Sequence, residues 1–526
     1  MNTPILNQLV KLNKDGRRPF HMPGHKRKCK VYPDAAAGQY EDYAFINTGM
    51  WSMDITEITD YDNLHAPEGI IRESMDQLKE IYHTRESWYL VGGSSCGILA
   101  AISAVCSPGD KIIIGRNCHK AVYNAVRLLR LHTLYLHPRQ SLTYDILLDT
   151  GEAEREQLTS MLRENPDVRA VVLTSPTYEG VVTDVRAVKN VLETYFLNSQ
   201  AGPGNTDTDN VSRYYDPAPV LIIDEAHGAH MHFHQAFPES AVSCGADIVI
   251  QSTHKTLPSM TQTALLHLCT DRVKAERIAD WLAVYETSSP SYPLMASAEY
   301  GVAFMYEKKD YVDKYVDNLL KFRRKCGQLK EIHLVSQKDL SVYDFDPGKL
   351  IFYVGCNRGP WLFAKLRDEW NMELEMESRS YVLAMTSVMD EEKDFNALWE
   401  AVSSIDREIT EGKKDGKAER IFLQSPQSEK GFGTDSSWTF HKNLPYPERY
   451  KEPWEINSEE IYYASPEEAA GQLAASYIML YPPGIPLLVP GEKIIKEMVE
   501  NIEFYLYNGY NVQGLSHGRI PIVRGK

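Results

Sequence analysis

The sequence lacks long apolar runs and paired cysteines. Hydrophobic residues make up 43% of its 526 residues, but no uninterrupted apolar run is long enough to span a bilayer. The first residues also lack the basic and then apolar order of a secretory signal. The eight cysteines are scattered and form no CxxC pair, which indicates reduced thiols rather than a disulfide framework. We therefore expect a cytoplasmic protein with no membrane partner.

Positive charge is also scarce. Lysine and arginine number 56 against 72 acidic residues, which gives a formal net charge of −16. This balance opposes non-specific binding to nucleic acid, and we expect no nucleic-acid partner. It mildly favours a cationic ligand, although solubility is the simpler explanation. The sequence contains no P-loop of the form GxxxxGK[ST], so the helicase-like Asp-Glu-Ala-His at 224–227 is interpreted as a chance match.

The sequence does contain a regular alternation of patterns. From residue 66 to about residue 297, helical patterns alternate with short apolar runs. Such alternation predicts parallel βαβ units and an α/β domain rather than hairpins. Ligands of such sheets bind at the carboxyl ends of the strands. Residues that directly follow the apolar runs are therefore the first candidates for a functional site.

Lys255 and Asp224 are two such residues. Lys255 follows an apolar run, two hydroxyl residues and His254. A lysine in this position is suited to a covalent link with an aldehyde beside a bound phosphate. Asp224 ends another apolar run. We expect both residues at the same edge of one sheet.

A glycine-rich turn, Gly-Gly-Ser-Ser-Cys-Gly at 92–97, follows an apolar run and precedes a helical pattern. The free N–H groups and the positive dipole end of a helix suit a phosphate dianion, and the hydroxyls of Ser94 and Ser95 add donors. By itself such a turn is more often a packing feature. Its presence in one chain with Lys255 and Asp224 favours a phosphate site.

These segments resemble the ornithine/lysine/arginine decarboxylase family. The likeness rests on Ser-Thr-His-Lys at 252–255, Asp-Glu-Ala-His at 224–227 and His-Met-Pro-Gly-His-Lys at 21–26, and it extends over nearly the whole chain. It implies a fold-type I enzyme, similar to aspartate aminotransferase, that uses pyridoxal 5'-phosphate (PLP). The implied architecture is α/β: a large domain with a mainly parallel sheet, a smaller α/β domain and a C-terminal α+β domain.

The resemblance also implies a role for each matching residue. Lys255 would hold the cofactor, Asp224 would keep its pyridine nitrogen protonated, and His119 would stack on its ring. His227 would support the ring. The phosphate would be bound by four residues: Ser94, Ser95, Ser252 and His254.

The implied activity is decarboxylation of a basic L-amino acid to a polyamine-type amine and carbon dioxide. Arginine is favoured over lysine and ornithine, because the chain resembles the short bacterial form without an N-terminal wing domain. A distal cation needs a carboxylate or polar partner. The candidates for substrate binding are His25, Asp54, Glu57 and Glu492. A homodimer with active sites near its interface is expected.

Changes in pattern and composition give the expected domain boundaries. They are an N-terminal arm at 1–65, a large PLP-binding domain at 66–304, a small α/β domain at 305–410, a linker at 411–430 and a C-terminal decarboxylase domain at 431–526. The linker is charged and poor in apolar residues. Within the large domain, the Gly- and Asn-rich stretch 197–216 predicts a disordered surface insertion.

Other functions remain open from the sequence. Another fold-type I reaction, such as transamination or aldol-type cleavage, uses the same lysine, aspartate and phosphate site. A non-catalytic PLP-binding protein would keep the fold, although loss of the lysine or the acid is expected there. Four histidines at 227, 230, 232 and 234 do not predict a metal site, because alternating positions in a loop send the rings in different directions.

Overall fold

The computed structural model describes residues 18–20, 62–200, 218–415, 422, 445–456, 461–481 and 484–523. A seven-stranded sheet dominates the first half of the chain, a four-stranded sheet follows, and two three-stranded sheets lie near the C-terminus. None of the described helices is long and apolar enough to cross a membrane.

The first unit alternates strands with helices, as the sequence pattern predicts. Its strands are β1 Arg18–Phe20, β2 Glu86–Leu90, β3 Lys111–Gly115, β4 His132–Leu136, β5 Val168–Thr174, β6 Val181–Val182, β7 Val220–Asp224, β8 Ile248–Gln251 and β9 Ala264–Leu268. Its helices are α1 Ile70–Tyr82, α2 Gly93–Val105, α3 Lys120–Leu129, α4 Glu152–Glu164, α5 Val185–Gln200, α6 Thr253–Thr256, α7 Ala275–Tyr285 and α8 Tyr292–Glu307.

The large sheet has the strand order β2-β9-β8-β7-β5-β3-β4. Strands β8, β7, β5, β3 and β4 pair in parallel, whereas β9 is antiparallel to both β2 and β8. Only β9 is therefore reversed in this sheet of the described chain, which confirms the mainly parallel sheet expected from the sequence. The segments that follow β2, β3, β5, β7 and β8 meet at one edge.

The apolar runs form the centre of the sheet because both of its faces are covered. All residues of β7 and β8 are buried. A strand covered by helices on both sides presents no side chain to solvent, so it appears in the sequence as a continuous apolar run rather than an alternating one. Burial therefore accounts for the pattern from which the strand ends were located.

The second unit is built on antiparallel pairing. Its strands are β10 His333–Leu334, β11 Asp344–Phe345, β12 Lys349–Tyr353, β13 Met372–Leu374, β14 Met376–Glu377 and β15 Tyr381–Met385, and its helices are α9 Lys309–Cys326, α10 Gln337–Leu340, α11 Gly359–Asp368 and α12 Glu392–Lys414. The four-stranded sheet has the order β10-β12-β15-β14. Strand β11 pairs with β6, and β1 pairs in parallel with β13. Two short strands of the first unit, β1 and β6, thus pair with strands of the second unit.

Three expected boundaries fall inside helices. Helix α8 continues across the boundary expected after residue 304. Helix α12 extends to Lys414 and so includes the first residues of the linker expected from residue 411, although most of these residues are exposed. Helix α5 includes the first residues of the insertion expected at 197–216; residues 201–217 lie outside the described residues.

The third unit contains two small antiparallel sheets. Its strands are β16 Ile461–Ala464, β17 Leu473–Ala474, β18 Ile478–Leu480, β19 Ile485–Leu488, β20 Val512–Gln513 and β21 Ile520–Val523, and its helices are α13 Pro466–Ala469 and α14 Lys496–Tyr507. The sheets have the orders β16-β21-β17 and β19-β18-β20. Pro486 lies in the edge strand β19, where its missing N–H removes no ladder hydrogen bond.

Candidate active site

The candidate site lies at the carboxyl edge of the large sheet. Strand β7 ends at Asp224, and β8 is followed by Ser252 and then by the single turn α6, which contains Lys255. Asp224 is paired with Ile250 in the parallel ladder of β7 and β8. Lys255 and Asp224 therefore follow adjacent strand ends, which is the placement expected from the sequence. Their chemical roles remain predictions.

The side chain of Lys255 contacts His227. Its Nζ atom lies 2.8 Å from Nε2 of the imidazole. Desolvation lowers the pKa of Lys255 to about 8, although Asp224 and Glu375 act in the opposite direction. Near pH 8 such a lysine has a far larger uncharged fraction than an ordinary lysine, and the uncharged amine is the nucleophile.

Asp224 is 2% exposed and is held by the turn that follows β7. Its Oδ1 atom accepts a hydrogen bond from the N–H of Ala226 at 3.1 Å. Burial raises the pKa of Asp224, and the nearby Lys255 opposes this shift. A buried carboxylate needs a cationic or N–H partner, so Asp224 is suited to pair with a protonated ring nitrogen.

His119 caps helix α3. Its Nδ1 atom accepts a hydrogen bond from the N–H of Ala121 at 3.2 Å. Burial, followed by the charges of Lys255 and Lys120, lowers the pKa of His119 to about 4. The ring is therefore neutral at pH 7 and lies within electrostatic range of Lys255. Its expected stacking on a cofactor ring remains a prediction.

The predicted phosphate-binding residues Ser94 and Ser95 lie in the first turn of α2. Ser94 is half-buried and Ser95 is exposed. Gly93, the first residue of the helix, has a φ of 77°, which is a left-handed conformation that favours glycine. The helix start thus combines backbone N–H groups with hydroxyls, as a phosphate requires.

A carboxylate without any signal in the sequence lies beside this helix start. Oε1 of Glu286 accepts hydrogen bonds from the N–H of Val91 at 3.1 Å and from Sγ of Cys96 at 2.9 Å. Burial raises the pKa of Glu286. Glu286 thus ties the residue that follows β2 to the first turn of α2.

Ser252 and His254 lie on either side of Thr253 at the start of α6. Ser252 is fully buried, and its Oγ atom has no hydrogen-bond partner among the residues that the structure describes. Nδ1 of His254 lies 2.8 Å from the carbonyl oxygen of Thr263. Because a carbonyl oxygen only accepts, Nδ1 of His254 carries the proton. An unsatisfied buried hydroxyl so close to Lys255 indicates a missing polar ligand.

These residues fit PLP. The unsatisfied Ser252 hydroxyl carries this fit, and three further features support it. Lys255 provides an amine of lowered pKa for an aldehyde, Asp224 provides a buried acid for a ring nitrogen, and the start of α2 provides donors for a phosphate. The described site therefore has a partner for the aldehyde, the ring nitrogen and the phosphate of the cofactor.

Three further residues lie at the site, and two of them, Lys349 and Glu375, have no functional signal in the sequence. The ring of Tyr178 lies 4.7 Å from that of His227, and its hydroxyl donates a hydrogen bond to Glu375. Nζ of Lys349 lies 3.3 Å from Nδ1 of His227. Glu375 and Lys349 belong to the second unit. Glu375 is 197 positions from Tyr178 along the chain, and Lys349 is 122 positions from His227. No local motif reveals contacts at such separations.

A cavity of about 630 Å³ adjoins this centre. Its acidic lining residues are Asp145, Glu179, Glu375 and Glu377, and its basic lining residues are Arg116 and Arg379. Glu375 connects the cavity to the site through its hydrogen bond with Tyr178. The cavity and the site therefore meet at Glu375.

Of the four predicted substrate-binding residues, only Glu492 belongs to the described part of the chain, and it does not line the cavity. His25, Asp54 and Glu57 lie outside the described residues. Glu492 is 1% exposed and forms an ion pair with Arg116, in which Nη2 lies 3.0 Å from Oε2. The expectation that Glu492 offers a free carboxylate to a substrate is corrected by this pair, because an arginine of the same chain already balances its charge.

The four closely spaced histidines point to different partners. His227 faces Lys255, whereas His230 is buried against Asp346 at 3.3 Å. Nε2 of His232 lies 2.9 Å from the carbonyl oxygen of Ile81. Within the described ranges, no three potential ligands converge in a way that could hold a metal ion.

The sequence matches one known family in two regions. Residues 3–199 and 205–361 match the family described as Orn/Lys/Arg decarboxylase, major domain, and residues 450–511 match the C-terminal domain of that family. The chain is 31% identical over 517 residues to the uncharacterised Bacillus subtilis protein YaaO, covering 98% of this chain and 96% of the relative. It is 28% identical over 541 residues to the arginine decarboxylase of Bacillus subtilis, covering 99% of this chain and 97% of the relative. It is 21% identical to the constitutive lysine decarboxylase of Escherichia coli, covering 96% of this chain and 77% of the relative.

Solved structures share the fold at lower sequence identity. The lysine decarboxylase of Francisella novicida superposes with a TM-score of 0.70 at 17% identity, covering 99% of this chain and 83% of that protein. The constitutive lysine decarboxylase of Escherichia coli gives a TM-score of 0.70 at 18% identity, covering 99% and 82%. These likenesses confirm the fold class expected from the sequence.

Proposed function

The chain belongs to the Orn/Lys/Arg decarboxylase family, and from that premise we propose that it decarboxylates arginine. Membership of this family makes it a PLP-dependent carboxy-lyase that acts on a basic amino acid. The observation that carries the proposal is the position of Lys255, which follows a strand end next to Asp224 and contacts His227 at 2.8 Å.

The choice of arginine is supported by the relatives. The relatives named arginine decarboxylase are more similar to this chain than those named lysine decarboxylase, and they have nearly the same length. A guanidinium group also suits the planar, two-oxygen face of a carboxylate, whereas an ammonium needs only a point contact. Lysine and ornithine are the other substrates to compare.

The chain supplies the groups that hold and orient the cofactor. When bound, PLP acts as an electron sink that allows the bond between Cα and the carboxylate to break. Lys255 would provide the amine for its attachment, and Asp224 would hold a proton at the ring nitrogen. The start of α2 and the hydroxyl of Ser252 would hold the phosphate.

Proton positions then depend on residues around Lys255. Once carbon dioxide has left, Cα needs a proton, and Lys255 is placed to hold it at Nζ. His227 orients Nζ through its contact at 2.8 Å. Tyr178 packs on the imidazole and reduces access of water to it.

The charge of the cavity supports a cationic substrate. Arg116 is paired with Glu492, and Arg379 is paired with Asp145 at 2.6 Å. Three further carboxylates line the cavity: Glu179, Glu375 and Glu377. An enclosed guanidinium without a partner would cost several kcal/mol, and these carboxylates offset that cost.

The proposal includes the setting of the reaction. We place the enzyme in the cytoplasm as a homodimer with active sites near the interface, where its amine product would enter polyamine synthesis. We also retain the division into a large, a small and a C-terminal domain, with the boundaries moved to the ends of α8 and α12.

The test is a comparison of substrates. The purified PLP-loaded protein would be given arginine, lysine or ornithine, and the released amine and carbon dioxide would be quantified together with any keto acid. We expect the highest kcat/KM for arginine, with agmatine as the amine. Keto acid without carbon dioxide would instead identify a transaminase, and release from lysine or ornithine alone would overturn the choice of arginine.

A further inference from the structure

His227 bridges two lysines from different parts of the fold. Nζ of Lys255 lies 2.8 Å from its Nε2 atom, and Nζ of Lys349 lies 3.3 Å from its Nδ1 atom. Lys349 is the first residue of β12 and is 1% exposed. The imidazole thus has one amine at each of its two nitrogens.

Lys255, His227 and Lys349 form a row of side chains that cannot all carry a full set of protons. Burial, followed by the charges of Lys255 and Lys349, lowers the pKa of His227 well below its usual value. A neutral imidazole has one N–H donor and one acceptor nitrogen. One lysine therefore donates to the acceptor nitrogen, and the other must accept from the N–H. Because an ammonium has no lone pair, the accepting lysine is uncharged.

Lys349 is the lysine that carries the charge. Burial would raise the pKa of Asp346, but His230 and Lys349 hold it below its usual range. Oδ2 of Asp346 has no hydrogen-bond partner in the described part of the chain, so this ionised group relies on nearby positive charge. Burial raises the pKa of Glu179, and the charge of Lys349 is among the influences that oppose this shift. The buried, unpaired oxygen of Asp346 favours the ammonium form at Lys349, which then donates to Nδ1 of His227 at 3.3 Å.

We propose that Lys349 is a positioning residue: its ammonium fixes the proton of His227 on Nε2 and so favours the uncharged amine of Lys255. The N–H at Nε2 then donates to the lone pair of Nζ, which agrees with the contact at 2.8 Å. Strand β12 belongs to the second unit, so the reactivity of the lysine depends on the placement of that unit. This inference rests on the proposed function because Lys255 is taken as the lysine that holds PLP.

Charged and titratable groups from several elements face this row. They are Asp224 and Glu375 around Lys255, His119 and His254 around His227, and Asp346 and Glu179 around Lys349. Both lysines thus have two carboxylates nearby. Replacing Lys349 with a neutral residue therefore removes one positive charge and leaves the other charged groups in place.

The test is a pH titration of the visible absorbance of the PLP-loaded protein, which reports the proton at the Lys255 nitrogen. In Lys349→Met the neighbouring cation is lost and His227 is free to turn its acceptor nitrogen towards Lys255. Both changes favour protonation of the Lys255 nitrogen, so the midpoint pH of the absorbance titration should rise by about one unit or more. Lys349→Arg keeps the cation and should keep the wild-type midpoint.

Two further variants separate this role from a purely structural one. Lys189 is another buried lysine, paired with Asp247 at 3.0 Å, and Lys189→Met should reduce stability without moving the midpoint. In a His227→Gln background, Lys349→Met should move the midpoint less than it does in the wild type, because the effect passes through the imidazole.

The titration results test this inference, whereas the activity of the wild-type protein tests the proposed function. An unmoved midpoint in Lys349→Met, or an equal shift with and without His227, would overturn it. If Lys349→Met retains no cofactor, Lys349→Arg decides: a wild-type midpoint supports the inference and a raised one contradicts it. A wild-type protein that releases no carbon dioxide from basic amino acids would overturn the proposed function instead.

Discussion

Arg116 and Glu492 form a buried ion pair that joins the first unit to the third. Nη2 of Arg116 lies 3.0 Å from Oε2 of Glu492, and the side chains are 2% and 1% exposed. Nη1 of Arg116 also donates to the carbonyl oxygen of Pro486 at 2.8 Å. The segment that follows β3, close to the cofactor residues, is thus fixed to the C-terminal part of the chain.

We expect Glu492→Gln to destabilise the protein without weakening substrate binding. The change leaves the buried guanidinium of Arg116 without a counter-charge, which typically costs about 3 to 5 kcal/mol. Chemical denaturation would measure the loss in free energy of unfolding. Glu448→Gln, at an exposed position, is the matched control. A stable variant with a strongly raised KM would instead support a direct contact between Glu492 and the substrate.

Asp224→Asn should lower kcat while leaving the fold intact. The amide keeps the size of the side chain but does not hold a proton at the ring nitrogen, so we expect kcat to fall by about 100-fold or more. Asp271→Asn, at an exposed position, should behave like the wild type. An Asp224→Asn enzyme with normal kcat and a normal cofactor spectrum would remove Asp224 from the catalytic site.

The lowered pKa of Lys255 predicts how cofactor uptake depends on pH. Desolvation lowers this pKa from 10.5 to about 8, and only the uncharged amine reacts with an aldehyde. The rate of PLP uptake by the cofactor-free protein should therefore rise as the pH approaches 8 and level off above it. Stopped-flow absorbance would follow the reaction. A rate that continued to rise to pH 10 would show that Lys255 titrates as an ordinary lysine.

Glu377 is expected to bind the cationic end of the substrate. Burial raises its pKa to about 7, and Arg367 opposes this shift. The KM for arginine should therefore fall as the pH rises through 7. Glu377→Gln should raise KM by about tenfold or more, as expected for loss of a charge-assisted hydrogen bond, with little change in kcat.

The control for this variant is Glu373→Gln, on the neighbouring strand β13 and outside the cavity lining. Its KM should match that of the wild type. Equal effects of the two substitutions on KM would show that Glu377 has no specific contact with the substrate.

The sequence was informative where local pattern determines position. Asp224 and Lys255 follow buried apolar strands, and parallel strands bring their carboxyl ends to one edge, so their proximity was predictable. Lys349 and Glu375 reach the site only through packing of the second unit against the first. Nothing in the residues around them marks that contact. Their discovery required the three-dimensional structure.

Packing also explains the expectation that needed correction. Glu492 lies in a Pro/Gly-rich segment, and its ion pair with Arg116 connects residues 376 positions apart. Tertiary burial thus outweighed the local composition of the chain at Glu492. Helix α12 includes the first residues of the linker expected at 411–430, and the division into domains stays a prediction.

The most direct test of the account uses carboxyl-labelled arginine with the wild type and Lys255→Ala, both incubated with PLP. We predict that the wild type releases labelled carbon dioxide and agmatine in equal amounts, and that Lys255→Ala releases neither and lacks the visible absorbance of the bound cofactor. Lys274→Ala, an exposed control, should match the wild type. Turnover by Lys255→Ala at the wild-type rate would contradict the central claim that Lys255 holds the cofactor for decarboxylation.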